Sequence, residues 1–435
     1  MTFEDFKDKV FSLGKKKGVE VQLRYRENRE FNIRLANGEL DQYTDASKFS
    51  VTVEVLKDGK LGRYRTESFE DPERCLEEAL TNLEVIDSEE KEHFYEGGVY
   101  PRMEIFFGEF EKLSVREKMK MVEIAYRSAL EKDGIFMVPL VLYNETTNRT
   151  VIANTLGLNV ESKRDGGIIF VMALAKDVNP RSGAWVEVGV SPSDLKPEEV
   201  GKKAAEEALS YVGARKLKSG KYPAVLRNNV LTELFEMFFP MVSAEHVQKN
   251  MSPLKGKLGQ KIAADRVTIW DLPFYPKSLN NAPFDDEGVP TREKRVVDRG
   301  VLTTYLHNLK TAKKEGKEPT GNAIDGRISP VNLVLEPGEE PFEDLLKILQ
   351  KGILITEIEG MHAGANSVSG EFSLFAKGLW VEDGTPAHAV EEITISGNFL
   401  ELLKRVVAVG KDLRISTGRA ICPSVLVEAL DIAGE

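Results

Sequence analysis

The strict alternation of side chains near the N-terminus constrains this chain most. Val19, Val21, Leu23 and Tyr25 point one way, and Glu20, Gln22, Arg24 and Arg26 point the other. Successive residues of a strand lie on opposite faces, so the segment fits a sheet with one face covered and one face wet. Phe31, Ile33 and Leu35 repeat the pattern, and Asn37-Gly38 supplies a hairpin turn. Val51, Val53 and Val55 alternate again before Asp58-Gly59 turns the chain back. An antiparallel meander of this kind needs helices over one side, and the sequence provides them. Thr2 caps a helix carrying Phe3, Phe6, Val10 and Phe11. Asp71-Pro72-Glu73 opens a second with Leu76, Ala79, Leu80 and Leu83, and Ser114 with Glu117 forms the capping box of a third.

Further strands are expected near 138–143, 150–153, 158–162 and 168–174, and a fourth helix over 197–211. The short basic stretch 213–221 marks a boundary. It divides an N-terminal α/β domain with an antiparallel sheet, 1–213, from a β-rich, barrel-like C-terminal domain, 224–435, with 214–223 as linker. The fold class is therefore α+β. The second half opens with the apolar stretch 230–242, read as a helix over 230–239. A polar segment, 245–261, follows with few structural signals. Strands are then expected at 264–269, 295–297, 302–305, 331–335, 353–358, 372–375, 379–382 and 392–395. Helices are expected at 307–315, 341–350 and 398–407.

Composition narrows the function. The chain has 435 residues, 41% hydrophobic and 30% charged, the profile of a folded, water-soluble protein. Its net charge is −11, with acidic side chains in excess in both halves, which argues against direct nucleic-acid contact. The longest apolar run, 166–175, is about half of what a membrane span needs. The acidic N-terminus lacks the apolar stretch of a signal peptide, so a cytoplasmic location without membrane contact is expected. Few glutamines and cysteines amid abundant Lys and Glu resemble thermophile composition. Two cysteines, Cys75 and Cys422, leave no room for a disulfide framework or a multi-cysteine zinc motif.

The familiar catalytic signatures are absent: no GxSxG, no phosphate-binding glycine loop and no CxxC. The five histidines, at 93, 246, 307, 362 and 388, are too scattered for an HExxH zinc site. Glu233 and Glu236, three apart on an apolar helix, present carboxylates either to a cleft or to solvent. His246 in the polar segment is a substrate contact or a solvated loop histidine. Cys422, near Arg419, is a reactive thiol or a buried structural one. Between two strands, the small polar run 360–373 contains Gly364, Ser367, Ser369 and Gly370. It can admit a peptide strand by β-augmentation, or it can simply make tight turns.

One ordered series of motifs is diagnostic. Asn281-Ala282-Pro283-Phe284-Asp285-Asp286-Glu287-Gly288 is followed by Asp298-Arg299-Gly300 and by Thr320-Gly321-Asn322. Gly378-Leu379-Trp380, Ile395-Ser396-Gly397-Asn398 and Val409-Gly410-Lys411-Asp412 then follow. In this order the series closely resembles the TldD/PmbA family, long labelled modulators of DNA gyrase, most strongly across 224–435. The resemblance implies two domains, paired subunits around a cavity, and proteolysis of small or unfolded polypeptides. It also implies that TldD subunits hold zinc with HExxxH and a later cysteine, whereas PmbA subunits, also called TldE, lack the histidines. Counting back without gaps from Gly259-Gln260-Lys261-Ile262 puts the motif on Phe235-Glu236-Met237-Phe238-Phe239-Pro240, and the ligand cysteine on Cys422. Phe235 and Pro240 cannot give zinc a lone pair, so the motif is vestigial and no catalytic residue is expected in this chain. By this resemblance the chain looks like the PmbA/TldE subunit. It would carry no metal, pair with a zinc-bearing TldD-like subunit, and offer a peptide cleft at Glu236, His246, Gly364, Ser367, Ser369 and Gly370. An independent homodimeric peptidase and a gyrase-binding interaction protein are the alternatives.

Overall fold

A computed structural model describes residues 1–85 and 91–435. In chain order the first half comprises α1 (Phe3–Lys17), β1 (Glu20–Ala36), β2 (Glu39–Lys57), β3 (Lys60–Thr66), α2 (Pro72–Glu84) and α3 (Val115–Leu130). It continues through β4 (Ile135–Asn154), β5 (Asn159–Ala175), β6 (Arg181–Gly189) and α4 (Pro197–Ser210). The six strands form one antiparallel sheet in the order β3-β2-β1-β4-β5-β6.

The strands are longer than the apolar pattern suggests. β1, β2, β4 and β5 run 17, 19, 20 and 17 residues. The segments expected separately at 138–143 and 150–153 are both part of β4, and those at 158–162 and 168–174 are both part of β5. Polar residues at mid-strand do not interrupt the ladder: Asn28 still pairs with Lys48 on β2 and with Asn148 on β4. The interruption in apolarity has another cause. Two separate cores sit side by side on one face. α1 and α2 cover Val21, Leu23, Tyr25, Val51 and Val53 at one end. α3 and α4 cover Phe31, Ile33, Val141, Tyr143 and Ile169 at the other. The opposite face is polar in its middle but carries Ile152 and Val160 at one end and Leu142, Ile168, Phe170 and Met172 towards the other.

The second half begins with β7 (Gly220–Leu226), so the last residues of the expected linker already lie in a strand. Next come α5 (Asn228–Phe238), α6 (Ala244–Gln248), β8 (Ile269–Asp271), β9 (Lys294–Asp298), β10 (Val301–Leu302) and α7 (Leu309–Glu315). They are followed by β11 (Ala323–Ile324), β12 (Arg327–Ile328), β13 (Leu333–Leu335), α8 (Phe342–Leu349), β14 (Gly352–Glu359) and α9 (Met361–Gly364). The chain ends with β15 (Glu371–Glu382), β16 (Thr385–Asn398), α10 (Phe399–Lys404), β17 (Val406–Val409), β18 (Ala420–Ile421) and β19 (Val425–Ala433).

Strands β16-β15-β14-β7-β19 close on themselves through a β16–β19 pairing, giving a five-stranded barrel. β7 and β14 run parallel, and the other barrel pairs are antiparallel. A smaller sheet, β10-β9-β8-β13-β18, lies beside it. The α+β class, with an antiparallel N-terminal sheet and a C-terminal barrel, is the observed architecture. The two strands expected at 372–375 and 379–382 are one, β15, kinked by register shifts near Gly378 and Trp380. The strand expected at 264–269 lies later, at β8. Part of the segment read as structureless, 245–261, is the helix α6. Among the described residues no helix is long and apolar enough to cross a membrane.

Candidate functional site

α5 carries Phe235 and Glu236, where the family's metal motif is expected to fall. Its start is fixed from outside: Asn228 donates its backbone N–H to the Ser424 hydroxyl at 2.9 Å and its side-chain amide to the Asp412 carbonyl at 2.9 Å. Val230, Leu231, Leu234, Phe235 and Phe238 bury one face in the large C-terminal core. Phe235 is 2% exposed and meets Phe399 edge-on at 5.3 Å between ring centroids, while Phe238 stacks on Phe399 at 4.7 Å. The helix ends at Phe238, and Pro240 sits in the 3-10 turn that follows. The Pro240 carbonyl lies 2.8 Å from His246 Nδ1, so His246 is a half-buried helix residue tied to the end of α5, not a solvated loop histidine.

Glu236 has a definite task. Its Oε1 accepts the backbone N–H groups of both Arg419 and Ala420. Gly418 makes this contact possible, because a Cβ there would lie 2.4 Å from the same oxygen. Two residues on, Cys422 is fully buried in the apolar cluster that contains Phe235. Burial pushes its thiol well above the ordinary range, so it is an unreactive group. Cys75 is likewise buried and free, its thiol raised chiefly by burial. Glu233 lies on the exposed side of α5; limited hydration raises its carboxyl to about 7, with Glu357 adding repulsion.

The expected cleft residues at 364–370 form a closed turn. The Asn366 side chain accepts from Val368 and Ser369, and Asn398 donates to the Ser369 carbonyl at 2.9 Å. Gly370 has φ +84°, and a Cβ on Gly364 would lie 2.1 Å from the Ser373 carbonyl oxygen. Ser367 is half-buried within the same turn.

A cavity of about 370 Å³ lies elsewhere, between the N-terminal sheet and loops of the C-terminal half. Gly364, Ser367, Ser369 and Gly370 do not line it, nor do Glu236 and His246. The floor is the polar face of the N-terminal sheet. One row across it reads Lys48, Asn28, Asn148, Arg164, from β2 to β5. Asn28 donates to Asn148 at 2.9 Å. The roof comes from C-terminal loops: Asn280 to Asp286, Ile324, Asp325 and Arg419. Asp286 pairs with Arg26 across the domain boundary, and Arg419 pairs with Asp325 at 3.0 Å. Asp285 is held by the backbone N–H groups of Glu287, Val289 and Ala323. The sequence hinted at this floor through polar residues with period two, Arg24, Arg26 and Asn28, then Thr146, Asn148 and Thr150. Because those residues lie between apolar runs, they read as strand breaks.

Comparison with known proteins now places the fold. Family models of the PmbA/TldA metallopeptidases match in three parts: domain 1 at 21–83, the central domain at 108–211 and the C-terminal domain at 219–434. A metalloprotease PmbA homolog from Buchnera aphidicola is 30% identical over 332 residues, covering 74% of this chain and 72% of its own length. The chain belongs to the TldD/PmbA family. Metalloprotease PmbA of Escherichia coli O157:H7 is 29% identical over 98% of this chain and 92% of its own. A Thermotoga maritima structure, designated a modulator of a DNA gyrase, is 60% identical with a TM-score of 0.97, covering 99% of this chain and all of its own. TldE from Thermococcus kodakarensis shares the fold, with a TM-score of 0.93 at 23% identity over 99% of this chain and 100% of its own.

Family membership raises the question of zinc. A structural or catalytic zinc site needs three or four N, O or S ligands converging on one point. Phe235 and Pro240 have none to offer, and Phe235 fills its space with a ring. The Glu236 carboxylate is already bound to two backbone N–H groups. Among the described residues no group of three His, Cys, Asp or Glu side chains is placed to hold a metal. The residues at the family's metal position in this TldD/PmbA chain do not fit the ion.

Proposed function

We propose that this chain is the metal-free, PmbA/TldE-type subunit of a two-subunit peptidase acting on small or unfolded polypeptides. The observation that carries the reading is the packing of α5. Phe235, at a position where zinc-bearing members of the family are expected to have histidine, is buried against Phe399. Glu236, which would otherwise polarise a metal-bound water, instead holds the backbone at Arg419 and Ala420. A helix committed to packing supports a structural and substrate-shaping role, with a TldD-like partner supplying zinc and hydrolysis. The relatives' designation as metalloproteases agrees with work on peptide bonds. The test is reconstitution in the cytoplasm-like reducing conditions both chains would share. The full chain, a TldD-like partner, and the two together are assayed for zinc by elemental analysis and for cleavage of an unfolded polypeptide. Cleavage by the pair and none by this chain is the expected result. About one tightly held zinc per chain, with hydrolysis by this chain alone, would overturn the proposal in favour of an independent peptidase.

A further inference from the structure

The interdomain cavity holds a charge that its own walls do not balance. Six basic and five acidic side chains line it. Arg26 is matched by Asp286, Arg149 by Glu161 and Arg419 by Asp325. Arg164 has no ion pair or hydrogen bond among the described residues, although it stands half-buried in the centre of β5. Burial, and after it the neighbouring Arg419, pulls its pKa down, but a guanidinium stays charged at any physiological pH. An unpaired cation enclosed by protein is costly unless an anion reaches it. Its planar fork matches a carboxylate in two parallel hydrogen bonds.

We propose that this cavity binds the C-terminal carboxylate of a short peptide, with Arg164 as the group that receives it. The size is right for a small ligand, since such sites begin near roughly 300 Å³. The walls favour a peptide over a bare multivalent anion such as phosphate. Lys48 and Arg65 also lack an ion pair but are exposed, so Arg164 is the one partly buried cation left unpaired among the described lining residues. Glu67, exposed at the cavity, repels a dianion, while the Asn28–Asn148 pair and Asn280 offer amides to a peptide backbone. Lys48, at the far end of the row from Arg164, leaves room for the chain between them.

The inference deepens the peptidase reading and rests on it for the choice of peptide as ligand, yet its test needs no catalysis. Isothermal titration of the full chain uses acetyl-Ala-Ala-Ala, the same peptide as its C-terminal amide, and inorganic phosphate. The free acid is expected to bind at least tenfold more tightly than the amide and than phosphate. Arg164→Gln should lower the free-acid affinity at least tenfold and leave that of the amide unchanged. Arg164→Lys, which keeps the charge and loses the fork, should fall between, and it carries the test if Arg164→Gln does not fold. Equal binding of acid and amide overturns the proposal, as does a free-acid affinity indifferent to both variants. Phosphate binding as tightly as the peptide would reduce the site to a general anion site and overturn it too. Loss of hydrolysis in the reconstituted pair, with free-acid binding intact, would count against the peptidase reading alone. Hydrolysis without free-acid binding would count against the cavity alone.

Discussion

Replacing Glu236 separates a structural carboxylate from a catalytic one. Its Oε1 takes the N–H groups of Arg419 and Ala420, so Glu236→Ala leaves two backbone donors without a partner in a half-buried turn. A hydrogen bond to a charged group contributes about 1.5–3 kcal/mol, and water reaching this turn recovers part of that. The expected cost is about 3 kcal/mol, the lower bound for two such bonds. For a C-terminal domain of this size, that lowers the midpoint of thermal unfolding by roughly 6–12 °C. Glu236→Gln keeps an acceptor at Oε1 and loses only the charge, so it should cost about 1 kcal/mol. Gly418→Ala attacks the same contact from the other side, because its Cβ would collide with Oε1. The two alanine changes should therefore be non-additive by about 1 kcal/mol or more. The assay is thermal and urea unfolding of the full chain, together with cleavage by the reconstituted pair. The reasoning predicts that Glu236→Gln retains cleavage and that Glu236→Ala loses stability first. A Glu236→Gln variant that is as stable as wild type but inactive in the pair would refute it, for then the carboxylate does chemistry.

Three further outcomes follow from the packing. Phe235→Ala should cost roughly 3–5 kcal/mol, read by urea unfolding, and Phe235→His with Pro240→His should yield neither zinc uptake nor cleavage in the chain alone, because packing fills the space that ligands would need. Hydrogen exchange with and without the TldD-like partner should show new protection mainly in 224–435, where the small sheet and β17 present edges; protection concentrated in 1–213 would count against this. Glu287 is raised above the usual carboxylate range by burial and by Asp285, so the native state keeps its proton to higher pH than the unfolded state does. Native stability therefore falls as pH rises from about 4.3 towards the raised value, and Glu287→Gln should gain stability relative to wild type between about pH 5 and 8, whereas parallel pH curves would show that the group ionises normally.

How much of this was legible beforehand depends on the distance over which a residue acts. Capping boxes at Thr2 and Ser114 and the alternation of Val21, Leu23 and Tyr25 are local, and they gave the helices and the covered face directly. The length of the strands was not local. Nothing within a few residues of Asn148 says that Asn28 and Arg164 stand beside it and carry the sheet through a polar stretch. That Phe235 and Pro240 offer no side-chain ligand could be read from the two residues themselves. What replaced them could not, since Phe399 is over 150 positions from Phe235 in sequence. The tight packing at 364–370 was hidden for the opposite reason. Its small residues were read as openness, but Asn366 and Asn398 use their amides to close the turn on itself.

Glu236 and the cavity are joined through one short segment, which gives this glutamate a use that needs no metal. Glu236 fixes the backbone at 419 and 420. The Arg419 side chain then leaves that anchored backbone, pairs with Asp325 and lines the cavity beside Arg164. Arg419 stands close enough to Arg164 for the two cations to repel, so its placement bears on how well the cavity receives an anion. If the anchor holds that placement, Glu236→Ala should weaken binding of acetyl-Ala-Ala-Ala even at temperatures where the chain stays folded, and Glu236→Gln should not. Glu236 and the cavity would then be one device, in which a helix carboxylate orients a cation for ligand binding. Unchanged affinity in a folded Glu236→Ala chain would instead separate the two, leaving Glu236 a stabilising contact with no influence on the cavity.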